Sequence, residues 1–343
     1  MNNVLIIGGG IAGTEASKRL TDMGFAVSIV EQSDSLGGKL NKWDTLFPNN
    51  RPANELLHKL RNKISPATNS YLNNQVTTIK REGEIFDVSL SNGQTLQANA
   101  ILLATGFDVF DAHKKEEYGY GIYDNVITSA DLELLYKNGK KLKTSNENTP
   151  KRICLIHCVG SRDEKAGNSY CSQLCCITAV KQAVKIKKNN PEAEVFCFYM
   201  DLRMFGRHFE ALYKEAQVQH GIQFIRGRLS ECFENSDGSI MLKTEDTLLG
   251  KPFRLNTDIV VLMVGMVPSA TTNIIKSQLN INTEHDQFFS TSDPHEGSCS
   301  TNIPGVFVAG ACTGPKTIEN TILEANTAAI KIRDYLQLHK VIK

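Results

Sequence analysis

The chain has 343 residues, enough for about two domains with separate cores, which excludes a peptide hormone or a lone binding module. Lys and Arg number 38 and Asp and Glu 37, so the net charge is +1 with no block of like charges, and nucleic acid is excluded as a partner. Hydrophobic residues make up 41% and charged residues 22%, the balance of a globular protein and not of a disordered one.

In chain order, Val4 to Ile7 reads as a buried strand. It is too short for a signal core or a membrane span, so a cytoplasmic protein without a membrane span is expected. The strand runs into Gly8-Gly9-Gly10-Ile11-Ala12-Gly13 and a helical pattern through Met23, then an apolar strand from Ala26 to Val30 ending at Glu31. Strand, glycine turn, helix and a distal acidic residue form a dinucleotide-binding unit. Gly8 allows the tight turn, Gly10 lets backbone approach a diphosphate, Gly13 lets helix pack on strand, and Glu31 is placed to accept the ribose hydroxyls. The diphosphate then lies at the helix N-terminus beside Ile11 and Ala12. Gly37, Gly38, Lys39 and Leu40 follow at the spacing where flavoproteins carry a second glycine pair, which favours FAD over NAD.

Short β segments follow, with Asn92-Gly93 predicting a type I′ hairpin. The apolar strand Ile101 to Leu103 then closes on Ala104, Thr105 and Gly106, where the first part of the FAD domain is expected to end. A short helix near Asp131 to Tyr136, capped by Thr128, precedes a second α/β region that starts at Arg152 to His157. This region continues with a helix from about Ile177 to Lys188, a strand Val195 to Tyr199 and a helix Phe209 to His220. It resembles a second nucleotide-binding domain, but Cys158-Val159-Gly160-Ser161-Arg162-Asp163 stands where a glycine fingerprint belongs. The expected division is 1–106 for the first part of the FAD domain, 107–257 for an inserted domain and 258–343 for the return. The fold class is therefore α/β, with a discontinuous FAD domain and an inserted second Rossmann-like domain.

Near the C-terminus, Gly310 and Ala311 stand where most flavoproteins of this layout have Gly-Asp, and Ala311 cannot bind the ribityl chain. Flavin affinity must rest on backbone, on Glu31 and on the helix beginning near Thr317. Lys316 is a candidate for tuning the flavin. Cys312 reads as a small packed residue.

Nine cysteines in a chain without an export signal are expected to be metal ligands or redox centres. Cys158, Cys171, Cys175 and Cys176 cluster within 19 positions, and four thiolates so grouped suit an iron–sulfur cluster or a tetrahedral zinc. The chain contains no CxxC, the knuckle of zinc ribbons and the redox pair of thioredoxin reductases, so a 4Fe-4S cluster is the favoured reading.

Cys158 to Asp163, Tyr170 to Cys176 with Lys181-Gln182-Ala183, Asp201 to Gly206, Ile225 to Arg228, Glu117 to Gly121, Val264 to Ser269 and Gly314 to Lys316 together resemble the flavoprotein A subunit of heterodisulfide reductase. The likeness covers nearly the whole chain in order. Methanogenic members are longer, with further iron–sulfur inserts, so the chain is similar to the compact A subunit of the heterodisulfide reductase-like complex of sulfur oxidisers. The resemblance implies a thioredoxin reductase-like fold carrying FAD, and a 4Fe-4S cluster on Cys158, Cys171, Cys175 and Cys176. It further implies a homodimeric core, iron–sulfur B and C subunits as partners, and electrons drawn from sulfane sulfur on a lipoate-bearing carrier on the way to sulfite. NAD(H) stays open as an electron partner, and the competing expectation is a stand-alone NAD(P)H-dependent disulfide or quinone reductase.

Overall fold

The computed structural model describes residues 2–341, with side chains described through 338. Its helices are α1 (Ile11–Asp22), α2 (Ala53–Arg61), α3 (Ser129–Lys137), α4 (Cys175–Asn189), α5 (Phe209–Val218), α6 (Ala270–Leu279) and α7 (Ile318–Val341). The chain divides into two compact units, one of residues 1–41, 54–108 and 267–343, the other of residues 42–53 and 109–266.

The first unit is built on a five-stranded parallel sheet in the order Val306–Val308, Ala100–Leu103, Asn3–Ile7, Ala26–Val30, Asn69–Tyr71. All but the edge strand Asn69–Tyr71 are almost wholly buried, because helices or a β-meander cover both faces of a parallel sheet. Val4, Ile6, Val27 and Ile29 pack with Ala12, Ala16 and Leu20 of α1 and Ala325, Ala328 and Ile332 of α7 on one face. Leu5, Ile7, Ile101 and Leu103 pack with Phe86 and Val88 of the meander on the other.

That meander differs from expectation at its tight turn. Gly93 is left-handed at φ 84° but Asn92 is not, Gly93 N–H donates to Leu90 O, and Leu90 N–H donates to Gln94 O. The connection is thus a type I turn closed by a glycine bulge and not a type I′ turn, which needs positive φ at both central residues.

The second unit repeats the layout: Val126–Thr128, Ile259–Val264, Arg152–Val159, Glu194–Tyr199 and Gln223–Arg226 form a parallel sheet in that order. Thr128 and Asp131 make a reciprocal capping box at the start of α3, as the sequence predicts. The expected return at residue 258 falls too early. Ile259–Val264 pairs with Arg152–Val159 inside the second sheet, and the chain returns only after Met266. An apolar strand bordered by turns cannot reveal from sequence which sheet will take it.

Residues 42–53 also depart from expectation, since they belong to the second unit. The segment is held by a polar network. Lys181 Nζ donates to Thr45 O (2.9 Å) and to the Glu133 carboxylate, which also accepts from Asp44 N–H (3.1 Å) and Gln182 Nε2 (2.9 Å). Lys185 pairs with Asp44, and Phe47 meets Phe209 edge-on at 5.6 Å. Lys181 and Glu133 are both buried. Removing one partner leaves an uncompensated charge in the interior, so Lys181→Met should destabilise the protein by about 3–5 kcal/mol in urea unfolding, while Lys181→Met with Glu133→Leu should cost markedly less. Equal losses in the single and double variants would show that the pair is not the anchor.

Candidate functional site

Each parallel sheet places one strand-to-helix turn at the carboxyl edge of its central strand, where the chain order reverses and ligands of such folds bind. In the first unit this turn is Gly8 to Gly13. Gly8 has φ 108°, and a Cβ there would sit 2.3 Å from Ala104 O; a Cβ on Gly13 would sit 1.9 Å from Gly8 O. Gly10 differs, because its Cβ would meet nothing nearer than the Gly38 Cα at 4.0 Å. The space in front of Gly10 is bounded by the second glycine pair: Gly37 N–H donates to Gly9 O (2.8 Å), and Gly38 is left-handed. The α1 helix starts at Gly10 with no capping side chain and no acidic residue in its first turn. Its free N–H groups and positive dipole end are therefore open to an anion.

Glu31 is buried. Its Oε2 accepts Gly9 N–H at 2.7 Å, and its Oε1 accepts Ser33 N–H at 2.9 Å and Ser33 Oγ–H at 2.7 Å. Oε2 keeps one lone pair for a further donor such as a ribose hydroxyl. Leu40 is fully buried, and Lys39 lies over the Phe107 ring and 3.5 Å from Asp108. Ala104 is buried beside Gly8, the Thr105 hydroxyl faces Thr272 at 3.4 Å, and Gly106 is left-handed.

At the C-terminal end of this unit, Gly310 is left-handed and its N–H donates to Glu324 Oε2 at 2.9 Å. The other oxygen of Glu324 accepts Lys316 Nζ, which also donates to Thr313 Oγ1. Lys316 is thus tied to the Gly310 turn, and Thr317 caps α7 by accepting Asn320 N–H at 3.2 Å. Sequence reading missed Glu324, whose partners lie 8 and 14 positions upstream across a turn. Cys312 is fully buried, its thiol donates to Leu103 O and Ala309 O, and burial pushes it up to about 12, so it is a packed residue.

In the second unit the same turn carries cysteines. The strand Arg152–Val159 extends through Cys158, and α4 begins at Cys175, so the vicinal pair Cys175-Cys176 lies in the first helical turn and not in the loop the sequence suggests. The intervening loop is closely built. Ser161 Oγ accepts Ser172 N–H at 3.0 Å and donates to Tyr170 O at 3.1 Å, Arg162 N–H donates to Tyr170 O, and Met266 N–H donates to Ser172 Oγ at 2.9 Å. Asp163 is buried beneath it, bonded to Lys115 (2.9 Å) and Arg228 (2.7 Å). Cys158, Arg162 and Gln173 all hold positive φ, at 60°, 54° and 57°. Three left-handed non-glycine residues around one thiol group are a concentration of backbone strain of the kind found at functional sites.

Cys158, Cys175 and Cys176 lie close enough to act on one another, with Cys175 between the other two. Its contacts with Cys158 and Cys176, together with burial, push the Cys175 thiol well up. Cys176, accepting from Cys175 against the opposing effect of burial and lying beside His157, is lowered to about 4. Cys158 is lowered as well, first by Cys175 and further by Arg162. Backbone donors approach from two sides: Arg203 N–H to Cys176 Sγ at 3.5 Å and Gln173 N–H to Cys171 Sγ at 3.3 Å. Cys171 is the most open of the four. Among the described residues no three His, Cys, Asp or Glu side chains surround a single metal-ion position.

Two further features stand beside the sulfurs. His157 is buried, and neither ring nitrogen has a hydrogen-bond partner; Arg162 bonds Asp201 through Nη2 at 2.8 Å, while its buried Nη1 has no partner. Buried donors next to sulfur with nothing to donate to are costly unless an acceptor fills the space. The helix beneath them, α4, has Leu174 at its N-cap, with no capping side chain and no acidic residue in its first turn. Cys154, Cys197, Cys232 and Cys299 are buried elsewhere, and burial pushes each thiol up.

A family model described as pyridine nucleotide-disulphide oxidoreductase matches residues 2–329. An iron-sulfur A subunit of the CoB-CoM heterodisulfide reductase of Methanopyrus kandleri is 32% identical over 96% of this chain and 64% of its own length. The A subunit of the H(2):CoB-CoM heterodisulfide,ferredoxin reductase of Methanothermobacter marburgensis is 31% identical over 96% of this chain and 63% of its own length. The chain therefore spans a little under two thirds of these relatives. Among solved structures, the thioredoxin reductase of Lactococcus lactis in its FR conformation superposes with a TM-score of 0.70 at 19% identity, covering 98% of this chain and 99% of that one. That of T. acidophilum gives 0.68 at 18% identity over 98% and 99%. At such identities the likeness is one of fold, and it is the fold the sequence predicts.

The glycine geometry separates two effects. Gly13→Ala should disturb the turn itself and reduce both flavin content and stability, because its Cβ meets backbone. Gly10→Ala should leave the melting transition of the flavin-free protein unchanged while lowering the FAD retained per protein, read from the flavin absorbance. A Gly10→Ala variant with full flavin content would show that no ligand approaches this backbone.

Proposed function

Because the chain belongs to the pyridine nucleotide-disulphide oxidoreductase family and is a flavin-dependent oxidoreductase, we propose that it works as the FAD- and 4Fe-4S-carrying electron-transfer subunit of a heterodisulfide reductase-like complex. One observation carries this reading: the two sheets offer equivalent uncapped helix N-termini, one lined by glycines and one by cysteines. When bound, FAD supplies two-electron chemistry that divides into single electrons, and the cluster supplies a one-electron store.

The donor types present support both groups. In the first unit Gly8, Gly10, Ile11, Ala12 and Gly13 would hold the flavin diphosphate, Glu31 its ribose, and Gly37, Gly38, Lys39 and Leu40 the facing wall. Ala104, Thr105, Gly106, Gly310, Ala311, Lys316 and Thr317 would border the rest, with Glu324 rather than residue 311 supplying the carboxylate that fixes the Gly310 turn. In the second unit Cys158, Cys171, Cys175 and Cys176 would bind the cluster. The orphaned nitrogens of His157 and Arg162 and the free N–H groups of α4 supply donors for its negative charge.

The relatives belong to larger multi-subunit enzymes, which supports work in a complex. Iron–sulfur B and C subunits would be the partners of a homodimeric core. The compact resemblance supports oxidation of lipoate-bound sulfane sulfur as the setting. A stand-alone NAD(P)H reductase has less support, since the turn that would cradle a second dinucleotide is occupied: a Cβ on Gly160 would strike the Phe110 ring at 2.0 Å, and Ser161 and Ser172 crowd Gly265.

Anaerobically prepared protein should contain about four irons and four acid-labile sulfides per FAD. Cys175→Ser should lose most of the iron while keeping its flavin. Zinc in place of iron, or flavin with no iron, would contradict the assignment.

A further inference from the structure

Beyond α4, the segment from Asp201 to Arg207 crosses the outer side of the cysteine group. Its backbone lies on sulfur: Cys176 Sγ is 3.6 Å from Asp201 O and 3.5 Å from Arg203 N. The segment has no regular secondary structure, yet its side chains alternate. Leu202 and Met204 turn inward against the hydrophobic core, whereas Arg203, Phe205 and Arg207 are exposed. The inward anchors hold the segment in place, so the outward triplet is a built surface.

Phe205 is 77% exposed, the most solvent-exposed of the large hydrophobic side chains among the described residues. The two flanking arginines make no ion pair among the described residues, while Asp201, two positions before Arg203, is already engaged by Arg162 at 2.8 Å and Arg226 at 3.7 Å. Arg226 is itself exposed. An exposed aromatic flanked by unpaired arginines has the composition of an interface centre, and the local charge is positive although the whole chain is nearly neutral. A second copy seated symmetrically here would bring like charges together.

We infer that Arg203, Phe205 and Arg207 form the docking surface for an acidic iron–sulfur carrier protein. Phe205 inserts into an apolar depression on that protein, and the arginines meet its carboxylates and steer its approach. Only two residues of chain, at most about 7 Å, separate Phe205 from the backbone that touches Cys176. A partner seated there approaches the cysteine group through the segment whose backbone lies on Cys176. The inference rests on the electron-transfer reading above for the partner's class, and on the surface itself for its position.

The test uses the full chain and a purified acidic bacterial 2[4Fe-4S] ferredoxin as probe, titrated calorimetrically under anaerobic conditions at low and high salt. The wild type should bind, with affinity falling as salt rises. Phe205→Ala should weaken binding about tenfold while keeping the salt dependence, and Arg203→Glu with Arg207→Glu should weaken it at least tenfold and remove that dependence. Lys140→Glu with Lys141→Glu, a charge change away from this segment, should bind as the wild type does. Iron, sulfide and FAD contents are measured on every variant and should match the wild type. No binding by the wild type, or variants that bind as it does, would overturn the inference, as would a single-stranded oligouridylate binding more tightly through the same residues. Salt-dependent binding by a protein devoid of iron would uphold the surface and contradict the cluster.

Discussion

A helix that starts without a capping side chain leaves several N–H groups and the positive end of its dipole directed at whatever lies before it. In this protein two such helix starts, α1 and α4, stand at equivalent edges of two parallel sheets, and the rest of each unit is arranged around them. Neither first turn contains an acidic side chain that would satisfy the field internally. The demand for an external anion is thus built into both, and the residues on the approach to each helix decide what kind of anion answers it. Glycines before α1 remove side chains so that a diphosphate can reach the backbone. Cysteines stand before and within α4 instead, and the Phe110 ring closes on Gly160 while Ser161 and Ser172 lie against Gly265.

The cost of that substitution is visible in the backbone. Cys158, Arg162 and Gln173 adopt left-handed conformations that side chains disfavour, and a dense set of hydrogen bonds through Ser161, Tyr170, Ser172 and Asp163 holds them there. Strain of this kind persists where surrounding structure over-determines it. The neighbouring thiols shift one another in opposite directions: Cys158 and Cys176 push Cys175 up, and Cys175 lowers both of them. On the buried side, both ring nitrogens of His157 and Nη1 of Arg162 have no hydrogen-bond partner.

Much of this was legible in the sequence because the informative signals were local. Glycine spacing, the acidic residue at the end of the second strand and the cysteine spacing each lie within a few dozen residues and reflect one strand–turn–helix unit. What escaped depended on distant partners. Ile259–Val264 joins the second sheet because its register partner is Arg152–Val159, about a hundred residues earlier. Residues 42–53 belong to the second unit through buried Lys181 and Glu133, and neither a lysine nor a glutamate in a helical pattern announces burial. Glu324 takes up the Gly310 turn from a helix whose surface pattern is unremarkable. His157 reads as an ordinary strand residue until both its nitrogens are found without partners.

The central claim is that the cysteine-bearing helix start holds a redox-active iron–sulfur cluster in place of a second dinucleotide. Low-temperature electron paramagnetic resonance of the anaerobic, dithionite-reduced protein tests it most directly. The account predicts a fast-relaxing spin-half signal that integrates to about one spin per FAD. A spectrum showing only a flavin radical, or no signal from protein with full flavin content and intact thiols, would contradict it.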